Sequence, residues 1–433
     1  MNKALAYILF FFLFKSNLSA QVKIDKLEDL WKIAIQNNPN QRVYALKREQ
    51  LGYDYKTSEN FYYPQASASF NGQDNLILPV TPVPGALAGQ AGKTVYIPFG
   101  KHYTYNAGLT VTKDLFDWQT MLQSKIAKEN IELNNNQQAA YTQTLKTQVG
   151  QYYFSALVAK ASLMIAEKDL LISDSIYVAV KQKFDEGLTD ASAVNQAEIN
   201  KNAIQQNILQ SNQLLNQAVA NIKILAGMPA KTDIVFSEEA IDKEAEKVGN
   251  NLGDDKTLLP YKTSINISTL QQKEQKAALL PKITATGYFG FQEYRDRFEM
   301  SFAKNAWTDY QYIGLGLNWP LFTGFANSNK LKSSAVQKKI AEQDYEAAKE
   351  QSNTTDLLLI QNLTSYSELV LSSKSSFDLY GKNLELSRQK FKEGLISIDV
   401  YLKTFQDYLT AENVYLNNLS NLLSTKASIE ARQ

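Results

Sequence analysis

Apolar positions recur along this chain with two periods, and each period marks a different kind of element. Val149, Ala156, Leu163, Leu170, Tyr177 and Phe184 form one row spaced by seven, and Leu363, Val370, Phe377, Leu384 and Phe391 form another. Sevenfold spacing is the seam of helices packed as a coiled coil. The runs carrying these rows, Trp118 to Glu186 and Ala326 to Glu393, contain no proline and one glycine each, Gly150 and Gly381. At the helical rise, about 68 residues span roughly 100 Å. A second row follows each run: Ile208, Leu215 and Ile222 after the first, and Tyr401, Tyr408, Tyr415, Leu422 and Ile429 after the second. The pattern therefore predicts two long helical hairpins. Gly187 and Gly394 fall at their tips, where a helix end often needs a left-handed residue.

Shorter segments alternate with period two. Ala66, Ala68 and Phe70 alternate with Ser67, Ser69 and Asn71. Tyr103, Tyr105, Ala107, Leu109 and Val111 alternate with Thr104, Asn106, Gly108, Thr110 and Thr112. Later, Ile283, Ala285, Phe289 and Phe291 oppose Thr284, Thr286 and Gln292, and Ile313, Leu315, Leu317 and Trp319 oppose Gly314, Gly316 and Asn318. Each is a strand with one apolar and one polar face. A length of about ten residues suits a tilted transmembrane strand, and tyrosine and tryptophan at strand ends suit an interfacial girdle. Taken alone, the alternation fits a half-buried soluble sheet equally well.

These elements occur twice. Gln182-Lys183-Phe184-Asp185-Glu186-Gly187-Leu188 returns as Gln389-Lys390-Phe391-Lys392-Glu393-Gly394-Leu395. Gly108-Leu109 and Leu115-Phe116 return as Gly314-Leu315 and Leu321-Phe322, and Tyr63-Pro64-Gln65 resembles Leu280-Pro281-Lys282. Three matches in one order mark an internal duplication. Each copy opens with a helical stretch. In the first copy it runs from Leu27 to Phe61, with a local break at Asn37-Asn38-Pro39, and ends before Pro64. The expected division is a signal peptide over 1–20, a first repeat over 21–228, a connector over 229–259 and a second repeat over 260–433. Within the connector, Thr232 to Phe236 is a candidate short strand, and Asp242 to Asp255 reads as a charged solvated link. The segment between the first two strands, Gly72 to Lys101, reads as a long loop rich in proline and glycine.

The signal-peptide reading rests on Lys3, the apolar run Ala4 to Phe14 and the small pair Ser19-Ala20. That run is too short to span a bilayer as a helix, and no other stretch approaches the needed length. An exported chain that enters a membrane must then do so through its strands. The composition narrows the chemistry. There is no cysteine and one histidine, His102, which excludes disulfides, thiolate sites and an N-terminal lipidated cysteine and argues against a metal centre or a histidine-based triad. His102 reads as a loop residue. The formal net charge of +1 offers no electrostatic footprint for nucleic acid. No cofactor is expected, and no nucleophile–base–acid constellation supports an enzyme.

Strand number constrains assembly. A sheet in lipid must close to satisfy its backbone groups. Four strands per chain give eight in a dimer, a barrel filled by its own side chains, so a conducting barrel needs at least three chains and twelve strands.

At this point the residues resemble a known family, the TolC-like outer-membrane factors of Gram-negative efflux and secretion systems. Leu27-Glu28-Asp29-Leu30 through Asn37-Asn38-Pro39 is similar to the family's opening helix. Trp319-Pro320-Leu321-Phe322-Thr323-Gly324 is similar to its strand-to-helix turn. Glu186-Gly187-Leu188 and Glu393-Gly394-Leu395 resemble its hairpin tips, and Leu225-Ala226-Gly227-Met228-Pro229 resembles the close of its first copy. The resemblance implies a mainly α protein with transmembrane β-structure, in which a long coiled-coil α-helical barrel is continued by a trimeric twelve-stranded β-barrel, four strands per chain. It implies an outer-membrane location with the helices in the periplasm, and a passive exit duct for an efflux or type I secretion system. The implied partners are two further copies of the chain, outer-membrane lipid, a periplasmic adaptor and an inner-membrane RND or ABC pump. Gly187, Leu188, Gly394 and Leu395 match the adaptor-contacting tips. Asp190 and Asp399 are candidates for a periplasmic aperture, with helix N-capping as the alternative. Pro320, Leu321, Phe322 and Gly324 match the strand-to-helix turn. The first copy departs there, with Lys113-Asp114-Leu115-Phe116 and no proline. The competing expectation is a soluble periplasmic coiled-coil scaffold or adaptor.

Overall fold

The computed structural model describes residues 21–237 and 252–433. The signal-peptide segment and most of the charged connector lie outside the described residues. In chain order the principal elements are β1 (Gln21–Ile24), α1 (Leu27–Asn37), α2 (Pro39–Ser58), β2 (Gln65–Asp74), β3 (Val80–Pro84), β4 (Thr94–Pro98), β5 (Tyr103–Phe116), α3 (Trp118–Asp185), α4 (Ala191–Leu225) and β6 (Asp233–Phe236). The second series is α5 (Leu259–Ala277), β7 (Lys282–Arg295), β8 (Thr308–Asn318), α6 (Ala326–Lys392) and α7 (Ile398–Glu430). Among the described residues, no helix is long and apolar enough to cross a membrane.

Two compact units cut across the duplication. One holds the chain up to Lys47, Asn134–Tyr261 and Tyr345–Gln433; the other holds Arg48–Leu133 and Lys262–Asp344. Each unit therefore takes matching pieces from both copies.

The first unit is helical, with one small sheet. The break between α1 and α2 falls at Asn38, because its side chain does two jobs. Its Oδ1 accepts from the backbone N–H of Asn40 at 2.9 Å and so caps α2, and its Nδ2 donates to the Leu225 carbonyl at 2.8 Å. Pro39 then opens α2 at a position that needs no donor. β1 and β6 pair in parallel, Ile24 opposite Phe236. The strand expected near Thr232 is thus present, whereas β1 has no counterpart in the pattern analysis: four residues are too few for a period to register. Ile24, Leu27, Leu30, Val149, Tyr153, Ile222 and Leu423 are buried together against this sheet. Gly150 lies where α3 meets α7; a Cβ there would stand 2.9 Å from the Ala427 Cβ. A mid-helix glycine costs about 1 kcal/mol of intrinsic propensity, which the close helix approach offsets.

The heptad rows hold over most of their length and fail near one tip. Val149, Ala156, Leu363, Leu384, Phe391, Tyr401, Leu422 and Ile429 are buried, but Phe184 is 37% exposed. Towards that tip the buried positions of α3 are Ala166, Asp169, Ser173, Ile176 and Val180 instead. A straight helix drifts about 20° per heptad against a strict sevenfold row, which carries the last members off the seam. Phe391 at the same height stays covered because Tyr401 stacks on it at 5.2 Å and the Lys183 ammonium lies 4.3 Å above its ring. The residue matching Tyr401, seven beyond the tip glycine, is the smaller Val194 in the first copy.

A polar clasp ties the same unit together at the start of the second copy. Asp255 accepts from Gln143 of α3 at 2.8 Å, from Thr257 and from Ser352 of α6 at 2.7 Å. Arg432, just past α7, lies 3.6 Å away and also pairs with Asp356. Burial alone would raise the Asp255 pKa, but the Ser352, Thr257 and Gln143 hydrogen bonds outweigh it and hold it at about 2.

The second unit carries the four-stranded antiparallel sheet, ordered β2-β5-β7-β8. Gln119 and Gln123 of α3 donate to Glu274 of α5 at 3.4 and 2.9 Å. The expected long loop after β2 is largely a hairpin, since β3 and β4 pair in antiparallel register with Val83 opposite Val95. Its prolines, Pro82, Pro84 and Pro98, are compatible with strands because a two-stranded ribbon has only edges. His102 sits beside it, exposed, with Nδ1 3.1 Å from the Asn75 carbonyl.

Asp255→Ala would leave the Arg432 guanidinium buried with one partner lost, at an expected cost of about 3–5 kcal/mol. Because the folded pKa is depressed, the carboxylate's contribution is present above its ordinary value of 3.8 and is lost as pH falls towards about 2. Thermal unfolding in detergent between pH 7 and 2 checks both: the substituted protein should melt lower at neutral pH and lose less on acidification.

Candidate functional site

Register in the sheet decides which side chains share a face, because directly paired residues point the same way. Ala68 pairs with Leu109, Leu109 with Phe289, and Ala285 with Leu315, so the apolar rows of all four strands fall on one side. Ser69, Gly108, Gly290 and Tyr310 line up on the other. The apolar side is open: Ile313, Leu315 and Leu317 are 82%, 76% and 67% exposed. β2 and β8 each have one bonded neighbour and form the two edges. This is an amphipathic sheet with two open edges and an apolar face left exposed along β8.

The helical tips are built as expected from their glycines. Gly187 and Gly394 have φ of 69° and 72°, and the N–H of the following leucine returns to the helix, Leu188 to the Lys183 carbonyl and Leu395 to the Lys390 carbonyl, each at 2.8 Å. That is a Schellman closure, in which glycine avoids the steric cost of the left-handed region. Leu188 and Leu395 are left 69% and 67% exposed.

The two aspartates near the tips are not equivalent. Asp190 caps α4, accepting from the Ala193 N–H at 3.1 Å. The matching cap of α7 is Ser397, which accepts from Val400, so Asp399 lies in the first helical turn and caps nothing. Both carboxylates are exposed. The capping alternative therefore describes Asp190 and does not describe Asp399.

The strand-to-helix turns differ between the copies. After β8, Gly324 and Phe325 adopt φ of 60° and 64°, and Thr323 Oγ1 accepts from the Asn327 N–H at 3.3 Å. Leu321 and Phe322 project outward, 79% and 76% exposed, with Phe322 packed edge-on against Phe325. Pro320 has no N–H for a ladder, and β8 stops before it. In the first copy Asp114 stands there, β5 continues to Phe116 through a register shift, and Asp117 caps α3 through Thr120 at 3.1 Å. Lys282 bridges Asp114 and Asp117 at 2.9 and 3.0 Å.

A sequence model described as outer membrane efflux protein matches residues 30–228 and 256–431. The chain belongs to the outer membrane efflux protein family. Its fold is that of several solved structures. CusC is similar with a TM-score of 0.75 at 17% identity, over 96% of this chain and 95% of that one. The Campylobacter jejuni CmeC outer membrane channel gives 0.73 at 15%, over 94% and 85%, and the open-state Neisseria gonorrhoeae MtrE outer membrane channel gives 0.72 at 17%, over 94% and 88%. At such identities the likeness is one of fold. The probable outer membrane lipoprotein SilC of Salmonella typhimurium is 28% identical over 165 residues, 38% of this chain. The match spans about a third, 32%, of that relative's length.

One feature of this family member lies off the sevenfold apolar rows. Asp169 and Glu412 are 1% and 5% exposed and face each other between α3 and α7, with the Tyr408 hydroxyl donating to Asp169 at 3.2 Å. Burial, then the neighbouring Asp169 carboxylate, pushes Glu412 up to about 9, so it holds a proton at neutral pH. The sequence signal was available: Asp169 and Ser173 interrupt the buried row between Ala166 and Ile176. A carboxyl with a raised folded pKa imposes no penalty below its unfolded value, and a growing one as pH rises towards 9. Wild-type melting temperature should therefore fall between pH 5 and 9, and Glu412→Gln should flatten that decline; an equal slope in both proteins would contradict the raised Glu412 pKa.

Proposed function

We propose that the protein is a passive exit duct in the outer membrane, a trimer that carries cargo delivered by a periplasmic adaptor and an inner-membrane RND or ABC pump to the cell exterior. The observation that carries this reading is the amphipathic sheet with two open edges. Unpaired backbone in lipid costs several kcal/mol per group, in order of magnitude, so both edges must find partners. Within the sheet the strand directions alternate, so β2 and β8 run opposite ways. β8 of one copy can therefore lie beside β2 of the next and continue the alternation, and any whole number of chains closes consistently. Three chains supply twelve strands, a barrel about 24 Å across for tilted strands about 4.8 Å apart, against about 16 Å for eight. The apolar face meets lipid and the polar face lines the lumen.

The exposed Leu188 and Leu395 support the reading of the tips as adaptor-docking points. Gly187 and Gly394 set the turn that presents them. Asp190 and Asp399 would contribute two acidic positions per chain near the tips, at different distances from the turn, and together they form the proposed cation-attracting aperture. The remaining division is carried by the same reading: residues 1–20 direct export, and 21–228 and 260–433 are the two repeats joined by 229–259. A duct needs no catalytic chemistry. Among the described residues, no group of histidines, aspartates and glutamates is arranged to hold a metal ion.

Fractionation after detergent-free lysis tests the reading. The protein should sediment with outer membranes and run as a trimer after mild extraction; recovery in the soluble periplasmic fraction would instead support a scaffold or adaptor. With the membrane location established, Leu188→Cys and Leu395→Cys should each crosslink an adaptor, and failure at both tips would remove the docking model.

A further inference from the structure

Three tyrosines stand together on the polar face of the sheet. Tyr288 of β7 pairs directly with Tyr312 of β8, and Tyr310 lies two residues before Tyr312 on the same face. The ring centroids are 5.6 to 5.7 Å apart in all three pairings, and Tyr288 and Tyr312 are stacked at 19°. The cluster is seated on glycine. Gly108 and Gly290 are paired across β5 and β7, and a Cβ at either one would collide with the Tyr288 ring. Glycine weakens a strand interior, so two opposed glycines under one ring mark a place where the aromatic surface is laid down close to the backbone. Covering glycine accounts for Tyr288. It does not account for Tyr310 and Tyr312, which remain 44% and 46% exposed on the face.

The surroundings limit what such a surface can recognise. The strand residues sharing this face are mostly serine, threonine, asparagine, glutamine and glycine. The charged ones, Asp114 and Lys282, pair with each other at 2.9 Å at the far end of their strands. No fixed charge beside the rings competes with their own electrostatics. An aromatic face is negative and attracts cations, and it offers stacking area to a flat solute. Phenol hydroxyls keep the patch wettable.

We propose that Tyr310 and Tyr312, supported by Tyr288, form a transit-binding site for planar aromatic cations on the lumen wall. This rests on the duct reading, which puts the polar face in the lumen and places nine such rings at one level of a closed trimer. Each exposed cation–π contact raises affinity only about two- to fivefold, which makes the site weak, as passage requires.

The test uses the full-length protein in lipid nanodiscs, titrated with ethidium as the planar aromatic cation and with tetrabutylammonium as a cation lacking rings. Size-exclusion of the loaded discs reports the trimer first. Wild type should bind ethidium saturably, and Tyr310→Ser with Tyr312→Ser should weaken binding about tenfold, the loss expected for two cation–π contacts. Tyr310→Phe with Tyr312→Phe should retain it, and tetrabutylammonium should compete poorly. If the double serine variant does not assemble, Tyr310→Ser alone, expected to weaken binding several-fold, decides the matter. A trimer whose ethidium affinity is unchanged by the serine substitutions overturns this site and leaves the duct intact. A protein that never enters the discs as a trimer overturns the duct reading, and this site with it.

Discussion

A strand pays for its backbone polar groups by pairing them, and lipid offers no substitute for a missing partner. The sheet of the second unit meets that demand for β5 and β7 and leaves it open for β2 and β8. Its apolar side is uncovered along β8, with Ile313, Leu315 and Leu317 exposed. On the duct reading, membrane insertion and self-association are one requirement, since closing the edges would supply the partners that make the apolar face useful. An even number of strands per chain lets the alternation close, and a number as small as four keeps one chain from closing alone.

The helical unit answers a different constraint. Very long helices are held by sidewise packing, and an ideal helix does not keep a sevenfold row in place indefinitely. The chain handles the drift locally. Gly150 brings α3 and α7 close, the Asp255 clasp ties α3, α6 and the end of α7, and Tyr401 covers Phe391 where the other copy leaves Phe184 half exposed. The buried Asp169–Glu412 pair sits on the same seam. An apolar pair there would pack without the cost that Glu412 carries at high pH.

Much of the architecture was legible in the order of residues. The strands emerged from the period of two with their faces assigned correctly, because alternation in Ala66 to Phe70 or Ile313 to Trp319 leaves only one way to divide a strand. The tips emerged from Gly187 and Gly394, whose left-handed φ is a local property. The helix break at Asn38 and the end of β8 before Pro320 were local as well. Short elements were lost for the same reason: β1 is four residues long, and β3 and β4 are hidden by proline.

What the tertiary structure alone decided is everything that depends on which distant residues meet. The duplication runs along the chain, one copy after the other, and compactness assigns matching pieces of both copies to each unit. Asp190 and Asp399 both stand just beyond a tip glycine, at different distances from it, and Ser397, which matches Asp190 in position, takes the capping role in the second hairpin and leaves Asp399 without it. The stacking of Tyr288 on Tyr312 over Gly108 and Gly290 joins three strands, and the Asp169–Glu412 contact joins residues far apart in the chain. Period and turn chemistry act over a few residues and can be read in order; strand register and helix neighbours are set by the energy of packing across the whole unit, and no local pattern encodes them.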